Sequence, residues 1–207
     1  MNAPVRKTPM ARAHERLGAT FELEAGWQIP VAYEDSDEAA RLTGSIGLAD
    51  LTPRAKIDVR GAVEGPLGAV GDALVARVAP DWALVLDTPG EEEILLSKLE
   101  HAANSGAMVT DATHLFAGFG LAGPRMDEAL ARLTSWDPAT LPAGSATGAP
   151  IGDVRAIVAR RDLAFPMLEV YTATEFARYA WETIFDVVQR LGGGPLGWHA
   201  IRAEGWR

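Results

Sequence analysis

The apolar residues of this sequence change their period again and again, and that constrains the fold more than any single motif. Over Ala55–Gly61 polar and apolar residues alternate, the pattern of a strand with one buried face. Met10, Ala13 and Leu17 recur at helical spacing instead and predict a helix over Pro9–Gly18. Similar reasoning predicts strands over Ile46–Leu51, Asp72–Val78, Trp82–Leu86, Ile151–Arg160 and Met167–Tyr171. Val109–Asp111 and His114–Leu121 read as a strand pair. Helices are expected over Asp35–Thr43, capped by Asp35 or Ser36, over Pro89–His101, over Gly123–Leu133, and over Thr174–Leu191, capped by Thr174. Asp137–Ala149, rich in Pro, Gly, Ala and Thr, reads as a loop. Strands joined by turns such as Ala79-Pro80-Asp81, with helices following strand pairs, predict an α+β fold rather than a doubly wound sheet. No fixed-period repeat and no long linker divides the chain, so a single unit of two intertwined α+β subdomains over residues 1–207 is expected.

Charge and composition remove several function classes. The formal net charge is -9, so the counterion release that drives nucleic-acid binding is not available, and an anionic membrane offers no attraction. An anionic ligand needs locally placed Arg or Lys against that field. There are no cysteines, which excludes disulfides, thiolate catalysis and Cys-ligated metals. The four histidines show no His-x-x-x-His spacing, and no metal site is expected. His14, flanked by Arg12 and Arg16, is expected on the surface. No run reaches the ~18 apolar residues of a membrane span, and no apolar run follows the basic N-terminus, so the cytoplasm is the expected location.

An ordered set of short blocks resembles a known family. It begins with Lys7-Thr8-Pro9-Met10, His14 and Leu17-Gly18-Ala19, followed by Ala25-Gly26-Trp27-Gln28-Ile29-Pro30-Val31. Gly47-Leu48-Ala49-Asp50-Leu51, Lys56-Ile57-Asp58-Val59-Arg60-Gly61 and Leu121-Ala122-Gly123-Pro124-Arg125 come next. Leu168-Glu169-Val170-Tyr171, Trp181 and Gly194-Pro195-Leu196-Gly197 complete the order. In order and spacing these are similar to the glycine cleavage T-protein (aminomethyltransferase) superfamily, across nearly the whole chain. The resemblance implies a T-protein-like folate-binding domain of mixed and antiparallel sheets with helices, lacking the family's C-terminal barrel.

It also implies a site. In the family a glutamate on a late strand accepts two N–H bonds from the pterin ring of tetrahydrofolate, and register from Trp181 places that role on Glu169. Trp27 and Tyr171 fall in the blocks expected to contact the same cofactor. An aspartate that orients the folate nitrogens and the one-carbon group corresponds to Asp72, the candidate catalytic residue, which would position the ligand and stabilise developing positive charge. The chain departs from the family in three places. It has one aspartate there instead of two, the segment between Gly61 and Asp72 is short, and Ala203-Glu204-Gly205-Trp206-Arg207 stands where the family reads Arg-Leu-Glu. The implied function is a one-carbon (aminomethyl or methyl) transfer module using tetrahydrofolate, working with a protein partner subunit or as a homo-oligomer. The alternative is a non-catalytic subunit like the gamma subunit of heterotetrameric sarcosine oxidase. The iron–sulfur maintenance branch of the superfamily carries a Cys signature that this chain does not have.

Overall fold

The computed structural model describes residues 4–34, 37–103, 106–161 and 163–206. The chain opens with α1 (Ala11–Arg16), the hairpin β1 (Ala19–Glu24) and β2 (Trp27–Tyr33), α2 (Glu38–Gly44) and β3 (Gly47–Asp50). Next come β4 (Ala55–Gly61), the short α3 (Glu64–Leu67), β5 (Leu74–Ala79), β6 (Trp82–Asp87), α4 (Glu92–Ala102) and β7 (Ala107–Asp111). The last part holds β8 (Phe116–Ala122), α5 (Met126–Leu133), β9 (Ala146–Ile151), β10 (Val154–Arg161), β11 (Met167–Ala173), α6 (Ala177–Arg190), β12 (Gly194–Leu196) and α7 (Trp198–Ala203).

The α+β expectation holds. A four-stranded sheet has the order β5-β6-β4-β7, and a six-stranded sheet the order β12-β3-β8-β11-β10-β9. All pairs are antiparallel except β12 with β3. The alternation in β4 turns Ile57 and Val59 toward Leu95 and Leu99 of α4. On the opposite side of the sheet, Ala76, Leu84 and Leu86 pack against Ile157, Ala159 and Tyr171 of the larger sheet. The far face of that larger sheet buries Leu168 and Val170 with Leu130, Trp181, Ile184 and Val188 of α5 and α6. Strand β11 is therefore covered on both faces. Its period of two sends Leu168 and Val170 toward the helices and leaves Glu169 and Tyr171 on the inter-sheet side. A fourth cluster joins the β1–β2 hairpin to α7 through Trp27, Ile29, Val31, Trp198, Ile201 and Trp206.

Several local expectations are corrected. β7 and β8 are not partners: β7 pairs with β4, whereas β8 lies between β3 and β11. The turn at residues 112–115 carries the chain from one sheet to the other. Ala146–Ala149, the end of the expected loop, begins the edge strand β9, where Pro150 is tolerated because an edge leaves one side of the ladder unpaired. Asp37 caps α2 through Ala40 N at 3.0 Å, while Asp35 and Ser36 lie outside the described residues. The Thr174 hydroxyl donates to His114 O at 2.8 Å instead of capping, and α6 starts after one 3-10 turn. Asp72 precedes β5, in a turn opened by Gly71 at φ +63. No described helix is long and apolar enough to cross a membrane.

Candidate functional site

Glu169 sits in the middle of a fully covered strand, so its charge must be met by protein. Arg54 Nη1 lies 3.0 and 2.9 Å from its two oxygens. The Tyr171 hydroxyl donates to Oε2 at 2.7 Å, and Trp206 Nε1 donates to Oε1 at 2.8 Å. Arg161 Nε approaches to 3.6 Å. The carboxylate is 0% exposed. Burial opposes the charge on Arg54, but Glu169, Tyr171 and Asp87 together more than offset it and hold the guanidinium above its ordinary pKa. Burial and the Glu169 charge push the Tyr171 phenol up, which keeps it a donor. The Arg54 guanidinium also lies 5.0 Å from the Trp206 ring centroid and donates through Nε to Asp87 O.

A cavity of about 820 Å³ opens above this network. Arg54, Arg161, Arg202, Trp206, Asp72, Val75 and Asp87 are among the residues that line it. Three guanidinium groups and two carboxylates thus share the lining, with Arg54 already paired to Glu169 and Arg161 approaching the same carboxylate. Arg161 Nη1 is buried without a hydrogen-bond partner among the described residues. Arg202 is held by a bidentate pair with Glu24, both contacts at 2.8 Å, and lies over Trp198.

Of the residues singled out by sequence, Glu169 and Tyr171 share one network, and Asp72 is exposed at the rim of the cavity above them. Trp27 does not line that cavity. It is buried in the cluster containing Met167 and Trp206, with His114 at 5.4 Å and Arg6 over its ring. Sequence reasoning missed Arg54, Arg161 and Trp206. Arg54 follows a Thr-Pro turn, and its partner is 115 residues away, so no local pattern marks it.

His14 is not on the surface. It is fully buried, with Nε2 2.9 Å from Asp50 Oδ2 and Nδ1 2.8 Å from the Tyr33 hydroxyl. Burial works against the Asp50 carboxylate, yet its hydrogen bond to His14 holds it below the usual carboxylate pKa. Trp198 Nε1 donates to Asp50 O at 2.7 Å. With His14 and Asp50 at 0% exposure, this network clamps α1, β3 and α7 together and admits no substrate. Lys56 is buried too, its Nζ reaching the carbonyls of Thr52, Arg54 and Thr113. Burial and the Arg54 charge push it down to about 7. Among the described residues no group of three or more His, Asp or Glu could hold a metal ion.

The chain is 26% identical to the aminomethyltransferase of Saccharopolyspora erythraea over 95% of its length and 62% of that protein. It is 28% identical to the aminomethyltransferase of Streptomyces avermitilis over 95% of its length and 60% of that protein. It thus spans about three fifths of the curated relatives it matches. Its fold superposes on aminomethyltransferase T of the glycine cleavage system from Bartonella henselae with a TM-score of 0.81 at 20% identity, covering 97% of this chain and 62% of that one. It superposes on a chain of the heterotetrameric sarcosine oxidase from Corynebacterium sp. U-96 with a TM-score of 0.68 at 15% identity, covering 91% of this chain and 97% of that one. The model of the GCVT N-terminal domain matches residues 65–205, more than half of the chain, which therefore belongs to the GCVT domain family, within the T-protein superfamily.

Proposed function

We propose that this chain is a folate-binding module for one-carbon transfer that works with a partner subunit, and that the cavity between Asp72 and Glu169 holds the folate. The observation that carries the reading is a cavity lined by Asp72 and three arginines, of which Arg54 pairs with the buried Glu169 carboxylate. A volume of about 820 Å³ suits a ligand of folate size. Arg161, with an unpaired buried N–H, suits the anionic tail of the ligand. The residues fit such a molecule after one rearrangement: Trp206 must leave Glu169 Oε1 before that carboxylate can accept a pair of pterin N–H bonds. Tetrahydrofolate, when bound, supplies the nitrogen acceptor for the one-carbon unit. Asp72 orients that end of the ligand and offers negative charge as positive charge develops.

One observation favours the second reading, a non-catalytic subunit. Both oxygens of Glu169 are already engaged by Arg54, Tyr171 and Trp206, which a purely structural carboxylate also requires. Calorimetric titration with tetrahydrofolate separates the two. Saturable binding that weakens at least about tenfold in Asp72→Ala, an exposed change that leaves the core intact, supports the transfer module. Absence of binding to the wild type and to Trp206→Ala alike would leave the structural subunit.

A further inference from the structure

A second cavity, of about 650 Å³, lies at the other end of the inter-sheet core. Strand β10 begins beside it at Arg155 and ends beside the first cavity at Arg161, and β6 runs the same way from Trp82 to Asp87. Trp82 and Phe116 line it and are partly exposed, whereas Ile157 and Tyr171, also in its lining, are buried. Its charged lining groups are both cationic, Arg60 and Arg155, in a chain of net charge -9.

These two arginines differ. Arg60 is held in place, its guanidinium 3.9 Å from the Trp82 ring centroid and its Nε 2.8 Å from Asp58 Oδ2. Trp82 Nε1 donates to Asp58 Oδ1 at 2.7 Å, which fixes the indole as well. The Arg155 side chain is exposed at the mouth and has no hydrogen bond or ion pair among the described residues. A rigid aromatic wall with an unpaired guanidinium at its mouth is complementary to a flat apolar body bearing one carboxylate.

We propose that this cavity is a second ligand site, distinct from the folate cavity, that takes a small aromatic carboxylate: the ring lies against Trp82 and Phe116, and the carboxylate pairs with Arg155. The inference does not depend on folate binding at the other end.

The test uses 2-naphthoate as the probe, titrated into the intact chain by calorimetry and by quenching of tryptophan fluorescence, with 2-naphthylmethanol as the uncharged analogue. Saturable naphthoate binding is expected, at least about tenfold tighter than that of the alcohol. Arg155→Gln should weaken the acid about tenfold and leave the alcohol unchanged. Arg155 lines this cavity and not the other, so that loss places the probe here. Gly148→Leu, which builds into the cavity from a position where a Cβ meets only Val78 at 3.9 Å, should remove binding of both. Absence of saturable binding to the wild type, equal affinity for acid and alcohol, or an unchanged acid affinity in Arg155→Gln would each overturn the proposal. If Gly148→Leu fails to fold, the other two comparisons decide.

Discussion

Trp206 Nε1 donates to Glu169 Oε1 at 2.8 Å, across 37 residues of sequence, while the Trp206 ring lies against the Arg54 guanidinium. A flat ring with an N–H aimed at this carboxylate offers what a pterin edge would offer, so the protein holds an internal competitor for its own acceptor. Trp206→Ala is expected to raise tetrahydrofolate affinity by roughly tenfold, since a hydrogen bond to a charged group is worth about 1.5–3 kcal/mol. Trp206→Phe, which keeps the ring and drops the donor, should lie between. Calorimetric titration of the three proteins measures this, and equal affinities would exclude the competition.

The Arg54–Glu169 pair is sealed from water, so removing one partner strands the other. Glu169→Leu and Arg54→Met should each cost about 3–5 kcal/mol in urea unfolding. The double variant Arg54→Met/Glu169→Leu should recover much of that loss, because replacing both charges removes the unpaired one. Additive losses in the double-mutant cycle would show that the pair is not coupled.

Lys56 gives the fold a pH dependence of definite sign. Its amine is held down to about 7 in the folded chain against an ordinary 10.5, so between those values the unfolded chain binds a proton that the folded chain does not. Stability should rise with pH from 7 toward 10, on the order of a few kcal/mol, and stay flat on this account below 7. The urea midpoint at pH 7 and 9.5 reads it. Lys56→Met should flatten the profile, and an equally steep profile in that variant would assign the effect elsewhere.

Gly197 sets the approach of α7, and so of Trp206, to the β1–β2 hairpin. A Cβ at this position would overlap the carbonyl of Val31 and the amide of Ala32, which are backbone atoms and cannot swing aside. Gly197→Ala is expected to destabilise the chain by about 1–3 kcal/mol, the usual cost of overpacking, and to free Trp206. Loss of the Trp206 contact would appear as increased acrylamide quenching of tryptophan fluorescence, and unchanged quenching would count against it.

Local chemistry in the sequence determined most of the elements. The alternation at Ala55–Gly61 made β4, and the apolar face through Leu95 and Leu99 made α4, because each pattern buries one side of its own element. The ordered blocks from Thr8 to Gly197 were enough to identify the family. The strand from Met167 was legible as well, and with it the odd glutamate in an apolar run. Beyond the β5–β6 hairpin at Ala79-Pro80-Asp81, which strands pair was decided by tertiary structure. β7 and β8 are neighbours in sequence and belong to different sheets, and β9 became a strand only because β10 offered it a ladder. The surroundings of Glu169 were decided in the same way. A buried carboxylate recruits its partners through space, from Arg54 on one side of the sequence and Trp206 on the other, and no local pattern records that choice. His14, between two arginines in the sequence, was drawn into the core by Asp50 and Tyr33, which reach it only once β2 and β3 have formed.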